Sequence, residues 1–437
     1  MPQIITNNFR IYNATKFTDS VDSEEKLYFF IGKPRSWNNE NSPPTPVNNS
    51  YYDLDYLAEN IAIKKINSSD VSAAVKRHDW AAGTVYTQYD NTDGNLFSKN
   101  FYVLTFPEYN VYKCLYNNEG SPSTVKPSGR STSIFETSDG YKWKFIYALT
   151  DTDLLKFFTN DFMAVHTDSL VSYTAIPGTI DSFVIENRGN GYTAFGTVDI
   201  TGNGIGAIRG NITVSSVIGT INKIEVLDSG RNYTYARAIP NLVTGAGRSN
   251  AVVRPVISPL NGHGYNAIEE LGGYYVMINT RLDYAEGGGD FPVINDYRRI
   301  GIVQNPVSNY TLDTARETTL DATYKLTLAN VSGVFLLDET ISGGYANGLV
   351  ITSNTVISPG NTIIRYVKPL EQQLTYINNF IAGEQVTGSL SGATGIVSNI
   401  LLPEVSINSG KVLYVENRKA ISRNPDQAEN IHVVIEF

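Results

Sequence analysis

One cysteine, Cys114, stands in 437 residues, so the chain can form no intramolecular disulfide and no cysteine-built zinc site. A lone thiol suits a protein made in a reducing cytoplasm. It lies in Val111-Tyr112-Lys113-Cys114-Leu115-Tyr116, an alternating run, which predicts a buried strand cysteine rather than a nucleophile. Histidine is nearly as scarce. His78, His166, His263 and His432 are the whole set, no pair has metal-ligand spacing, and each is read as structural or solvated. Charge is thin: 18% of residues are charged, against an ordinary ~25%, and 43 acidic residues outnumber 34 basic ones. The net charge of −9 repels phosphate backbones, which excludes nucleic acid as the expected partner. No apolar stretch approaches the ~20 residues of a membrane span. Met1-Pro2-Gln3-Ile4-Ile5-Thr6-Asn7-Asn8 has neither the basic nor the apolar region of a signal peptide. The expectation is a chain made in the cytoplasm, without membrane insertion, that leaves a cell only as part of a particle.

Nucleotide and hydrolase signatures are missing as well: there is no Walker lysine, G-x-S-x-G elbow or H-E-x-x-H. Gly202-Asn203-Gly204-Ile205-Gly206 has the spacing G-x-G-x-G with no helical pattern after it, and is read as turn glycines. Asp283, Glu286 and Asp290 flank Gly287-Gly288-Gly289; this loop is read as flexible, with calcium coordination the alternative. Paired carboxylates for glycoside hydrolysis are defined in space, so 43 acidic residues carry no signal by themselves. The sequence therefore nominates no catalytic residue, cofactor or metal ligand.

Aromatic and β-branched residues alternating with polar ones, broken by Gly, Asn, Asp and Ser, predict a mainly β fold. Helical patterns are few: Tyr51–Lys65, with Leu54, Leu57, Ile61 and possible partner Ile63 on one side; a short helix capped by Asp151 through Leu154, Leu155 and Phe158; and one turn over Ile268–Leu271 ended by Gly272-Gly273. Two duplications stand out. In the first, residues 180–193 match 221–234, and Tyr192 and Tyr233 stand 41 residues apart (233 − 192). Gly189 and Gly230 keep that spacing, as do Gly204 with Gly245 and Gly206 with Gly247. In the second, Phe335–Gly343 matches Phe380–Gly388 at an offset of 45 (384 − 339). Two units of this size make a compact all-β module, whereas a solenoid needs about three.

The expected architecture is a β-sandwich core with a few short helices and two inserted all-β repeat modules. The core comprises residues 1–175, 259–310 and 405–437; the modules are 176–258 and 311–404. All three tryptophans, Trp37, Trp80 and Trp143, fall in the core segments.

Five motifs in fixed order carry a resemblance. Phe29-Phe30-Ile31-Gly32-Lys33-Pro34-Arg35-Ser36-Trp37 precedes Pro43-Pro44-Thr45-Pro46; then come Lys76-Arg77-His78-Asp79-Trp80 with Tyr112-Lys113-Cys114-Leu115, Asp139-Gly140-Tyr141-Lys142-Trp143, and Tyr297–Pro306 ending in Asn-Pro. The last runs Ser409-Gly410-Lys411-Val412-Leu413-Tyr414-Val415-Glu416-Asn417-Arg418, then Gln427-Ala428-Glu429-Asn430-Ile431, to a final strand ending in Phe437. Together they resemble the gene-eight baseplate wedge subunit of T-even-like contractile-tailed phages. The two duplicated modules depart from that family's pattern. The resemblance implies a non-enzymatic structural subunit that forms a homodimer, binds other baseplate wedge proteins and resides in the virion tail. It nominates Trp37, Arg77, Asp79, Trp80, Trp143, Tyr414, Asn417, Arg418 and Phe437 as structural or interface residues. The competing expectation is a tail receptor-binding or polysaccharide-acting protein, marked by aromatic platforms beside carboxylates on one exposed face.

Overall fold

A computed structural model describes residues 5–21, 25–47, 50–206, 209–215, 219–242, 250–283, 293–344, 346–358, 361–368, 379–407, 409–424 and 427–437. The chain is mainly β, with several sheets and a closed six-stranded barrel. Among the described residues no helix is long and apolar enough to cross a membrane. Glu286, Asp290 and the glycines between them lie outside the described residues, as do Gly245 and Gly247.

Contacts group the chain into two units: Met1–Lys16, Ser72–Met277 and Val434–Phe437 in the first, and Phe17–Val71 and Ile278–Val433 in the second. This grouping cuts the chain elsewhere than the core-and-insertions boundaries. The segments 17–71, 278–310 and 405–433 cluster with the second repeat module, while 72–175 clusters with the first.

In the first unit, Tyr102–Thr105, Asn110–Asn117, Tyr141–Ala148 and Phe135–Glu136 form one sheet. It is apolar on both faces, as a sheet buried on both sides must be. Leu104, Val111 and Leu115 enter one core; Val103, Tyr112, Cys114, Trp143 and Phe145 enter another. Cys114 is fully buried, and burial pushes its thiol up. The 180–257 module is built from its duplication. Ile180–Asn187 pairs with Val252–Ile257, Ile221–Asp228 with Arg209–Val214, and Gly196–Gly202 with Ala236–Asn241. Each copy's first strand thus pairs with the other copy's last, and the middle strands pair with each other. Gly189 (φ +62°) and Gly230 (φ +54°) hold the equivalent turns in the left-handed region glycine tolerates. Tyr192 accepts from Ala251 N at 2.9 Å, and Tyr233 donates to Gly206 O at 2.8 Å, so each copy's tyrosine is completed by the other copy's backbone. At the base of the module, Ser258 N donates to Thr179 O (2.8 Å) and Thr179 N to Ser258 Oγ (2.9 Å).

In the second unit a sheet runs in the order Thr319–Asp321, Asn60–Lys65, Leu27–Gly32, Asn295–Gln304, Lys411–Arg423. Every residue of Leu27–Gly32 is buried, as befits its central place. The barrel comprises Tyr324–Ser332, Thr340–Gly343, Ala346–Ser358, Asn361–Val367, Gln385–Gly388 and Thr394–Leu401. The duplicated strands Thr340–Gly343 and Gln385–Gly388 pair antiparallel, and equivalent residues fill the core: Phe335 with Phe380, Ile341 with Val386. The paired glutamates repeat too. Glu339 accepts from Leu336 N at 2.6 Å and Glu384 from Ile381 N at 2.7 Å.

Two sequence expectations need correction. The Tyr51–Lys65 helix is Ser50–Ala58 followed by the strand Asn60–Lys65. Ile61 and Ile63 are β-branched, and pairing with Leu27–Gly32 overrides the helical spacing. Thr150, not Asp151, caps the Asp151–Lys156 helix, in a capping box with Asp153. The helix Asn7–Ser20 was not foreseen, since only Ile11 and Ala14 are buried on it and no apolar stripe marks it. In the final strand, Glu429–Glu436, Val433 is buried and Val434 packs against a core, while Ile431 and Ile435 are half-buried.

Candidate interaction site

The site begins with Gly32, whose missing side chain admits the Cβ of its cross-strand partner Arg299: an added Cβ would lie 3.3 Å from it. Arg299 pairs on its other side with Asn417. Its guanidinium is thereby held in the sheet with 5% of the residue exposed, and a buried guanidinium requires partners. Nε donates to Asn417 Oδ1 at 2.8 Å, Nη1 pairs with Glu59, and the Tyr56 ring lies 4.5 Å away. Asn417 passes the constraint on, donating Nδ2 to Pro44 O at 2.8 Å. The Trp37 indole N–H donates to Arg418 O at 2.8 Å. Glu40 accepts from Trp37 N, Arg298 Nε and Ala420 N at 3.0, 2.9 and 3.1 Å. Burial alone would raise the Glu40 carboxyl; these donors more than reverse that and hold it below the usual range. The Tyr56 hydroxyl clips the end of the proline loop, accepting from Val47 N and donating to Val47 O.

These residues line a cleft of about 320 Å³ walled by Trp37, Pro44, Pro46, Val47, Tyr56 and Arg299. Aromatic, proline and arginine surface held rigid by its own hydrogen bonds is the composition of anchor pockets at protein interfaces. Arg418 and Tyr414 meet on Glu416, at 3.1 and 2.6 Å. Their strand, Lys411–Arg423, is an edge of its sheet among the described residues.

The other nominated residues lie in the first unit. Arg77 forks onto Asp79 at 2.8 and 2.7 Å, donates to Thr159 O, and lies 4.4 Å over the Phe158 ring. This pair braces a loop. Trp80 donates to Ser123 Oγ at 3.2 Å. Trp143 is wholly buried, stacked on Tyr141 with centroids 5.4 Å apart. Phe437 N donates to Tyr274 O at 3.1 Å, and Arg10 binds the Phe437 carbonyl.

Sequence reasoning missed a buried polar cluster. Lys113, His263 and Glu270 are each under 8% exposed. Lys113 Nζ lies 2.5 Å from Glu270 Oε1 and 3.0 Å from His263 Nδ1, and its ammonium sits 3.4 Å from the Tyr89 ring centre. Burial pushes the Lys113 amine down to about 8, against the pull of Glu270. Burial would raise the Glu270 carboxyl, but Lys113 and His263 hold it at about 2. Both groups are therefore charged at pH 7, and the His263 imidazole, pushed down by burial and Lys113, is neutral. The one sequence signal was a lysine between Val111 and Leu115 on an inward-facing strand position. No family model matches the chain, and no curated protein matches it.

Proposed function

We infer that this chain is a non-enzymatic structural subunit of a contractile phage-tail baseplate wedge, binding itself as a homodimer and binding other wedge proteins in the virion tail. One observation carries the reading. The two most distinctive stretches of the resemblance, Trp37 with its proline loop and Asn417-Arg418, are some 380 residues apart in sequence (417 − 37) yet tied together by Trp37–Arg418 and Asn417–Pro44 hydrogen bonds. Motifs that share one rigid cleft support a common interface role. A wedge subunit must hold neighbours through assembly, and buried anchors with polar rims supply that affinity.

The test has two parts. Antibody against the chain should label the baseplate end of intact tails in electron micrographs, and the chain should appear in purified virions by mass spectrometry. Absence from virions overturns the reading. Val47→Glu, at a 49%-exposed rim position, should leave the melting temperature unchanged and abolish co-assembly with the proteins encoded beside this gene. Unimpaired co-assembly would remove the cleft from the interface.

A further inference from the structure

A second cavity, of about 480 Å³, lies wholly within the first unit. That is inside the roughly 300–1,000 Å³ range of small-ligand pockets. Its floor is Tyr89, 7% exposed. Lys113 covers one face of that ring, and the His263 ring meets it edge-on at 5.1 Å. The Tyr89 hydroxyl bonds to no group among the described residues. A nearly buried phenol usually finds a hydrogen-bond partner, so one without a protein partner, on a cavity wall, points to a ligand.

The walls add two kinds of group. Phe97 is half-buried and Tyr265 is 48% exposed. Phe97 can seat only because residue 272 is glycine, where a Cβ would come within 2.6 Å of its ring. Beside these rings stand amides with a fixed orientation. Asn91 Oδ1 accepts from Ile257 N at 3.1 Å and Asn266 Oδ1 from Glu269 N at 3.4 Å. Both carbonyl oxygens are thus committed to backbone, which leaves each –NH₂ as a donor. Glu269, with no side-chain partner among the described residues, supplies acceptors on the same rim. Among the described residues the lining contains no Lys, Arg or His.

We propose that this cavity is a binding site for a neutral saccharide. A sugar hydroxyl both donates and accepts, and needs donors and acceptors side by side, as Asn91, Asn266, Glu269 and the Tyr89 hydroxyl provide. The apolar C–H face of a pyranose needs an aromatic wall, provided by Phe97 and Tyr265. Phosphorylated or carboxylated ligands are disfavoured, because their charge would face Glu269 with no cation among the described lining residues to offset it. The inference does not rest on the baseplate reading, and a chain absent from tails would still bind.

The test is saturation-transfer NMR on the full chain, with methyl glycosides of neutral hexoses, neutral oligosaccharides, and phosphate- or carboxylate-bearing sugars as separate arms. Neutral sugars should give transfer, and the anionic ones should bind at least about tenfold more weakly. Tyr89→Phe removes one unpartnered hydroxyl, so it should weaken binding about three- to tenfold at an unchanged melting temperature. Tyr265→Ala should weaken it further. No transfer from the folded chain to any neutral sugar overturns the proposal. So does a preference for anionic sugars, or binding that survives both substitutions at full strength.

Discussion

Asp139 is the carboxylate whose loss the structure makes most measurable. Its Oδ2 accepts from Ser123 Oγ, Thr124 N and Val125 N at 3.0, 2.8 and 2.9 Å. Its Oδ1 accepts from Thr137 Oγ1 and Tyr141 N at 2.5 and 3.3 Å. One side chain thus pins the 123–125 loop to the turn that starts the Tyr141–Ala148 strand. Partial burial would raise its carboxyl; five donors reverse this and hold it at about 2, down from 3.8. At about 1.36 kcal/mol per pKa unit that gap is worth ~2.4 kcal/mol, discounted to about 1–2 because the group is partly exposed. Asp139→Asn loses this charge term. Whichever way the new amide turns, its –NH₂ also faces at least one backbone N–H, which costs about 1–3 kcal/mol. The expected loss is about 2–5 kcal/mol, or roughly 4–20 °C in the melting temperature of a unit of this size. The assay is urea denaturation followed by tryptophan fluorescence in a Trp37→Phe background, so that only Trp80 and Trp143, both in the first unit, report. The pH dependence has a definite sign. A depressed carboxylate contributes fully above 3.8 and loses its contribution as pH falls through about 2. The gap between parent and variant should therefore be widest above pH 4 and shrink by the charge term toward pH 2. A loss under about 0.5 kcal/mol, or a gap constant across that window, refutes the reasoning.

Two further outcomes are expected. Glu339 is fully buried and also accepts from Leu390 N and Ser391 N at 3.0 and 2.9 Å, so Glu339→Gln should destabilise the second unit by about 1–3 kcal/mol. Glu384→Gln, at the less buried equivalent, should cost less than half of that; equal losses by urea denaturation would contradict this account. Excising residues 180–257 behind a short Gly/Ser linker should leave a cooperative calorimetric transition in the remainder, because Thr179 and Ser258 are already hydrogen-bonded to each other. Loss of that transition would show that the module supports the rest.

Legibility in the sequence tracked the range of the forces involved. The repeats were readable because equal local patterns make equal turns: Gly189 and Gly230 hold equivalent turns, and Glu339 and Glu384 each accept from a backbone N–H three residues upstream. The β character and the buried Cys114 were readable from alternation. The Asn60–Lys65 strand was not, since its conformation is decided by neighbours at 27–32 and 319–321. The cleft residues Trp37 and Asn417 were singled out, but Arg299, Glu59 and Tyr56 were not, although they fix its geometry. The Lys113 cluster was invisible because His263 and Glu270 reach it through tertiary folding alone.

The interlaced duplication in 180–257 has a consequence for its ancestry. A single copy alone would keep its first strand unpaired and its tyrosine hydroxyl unfilled. Two separate chains of one copy each can make the same three strand pairings across a two-fold axis. The present module is in that sense a dimer written into one polypeptide. Neither half can drift freely, since a side chain at Gly204 of one copy would collide with Tyr233 of the other.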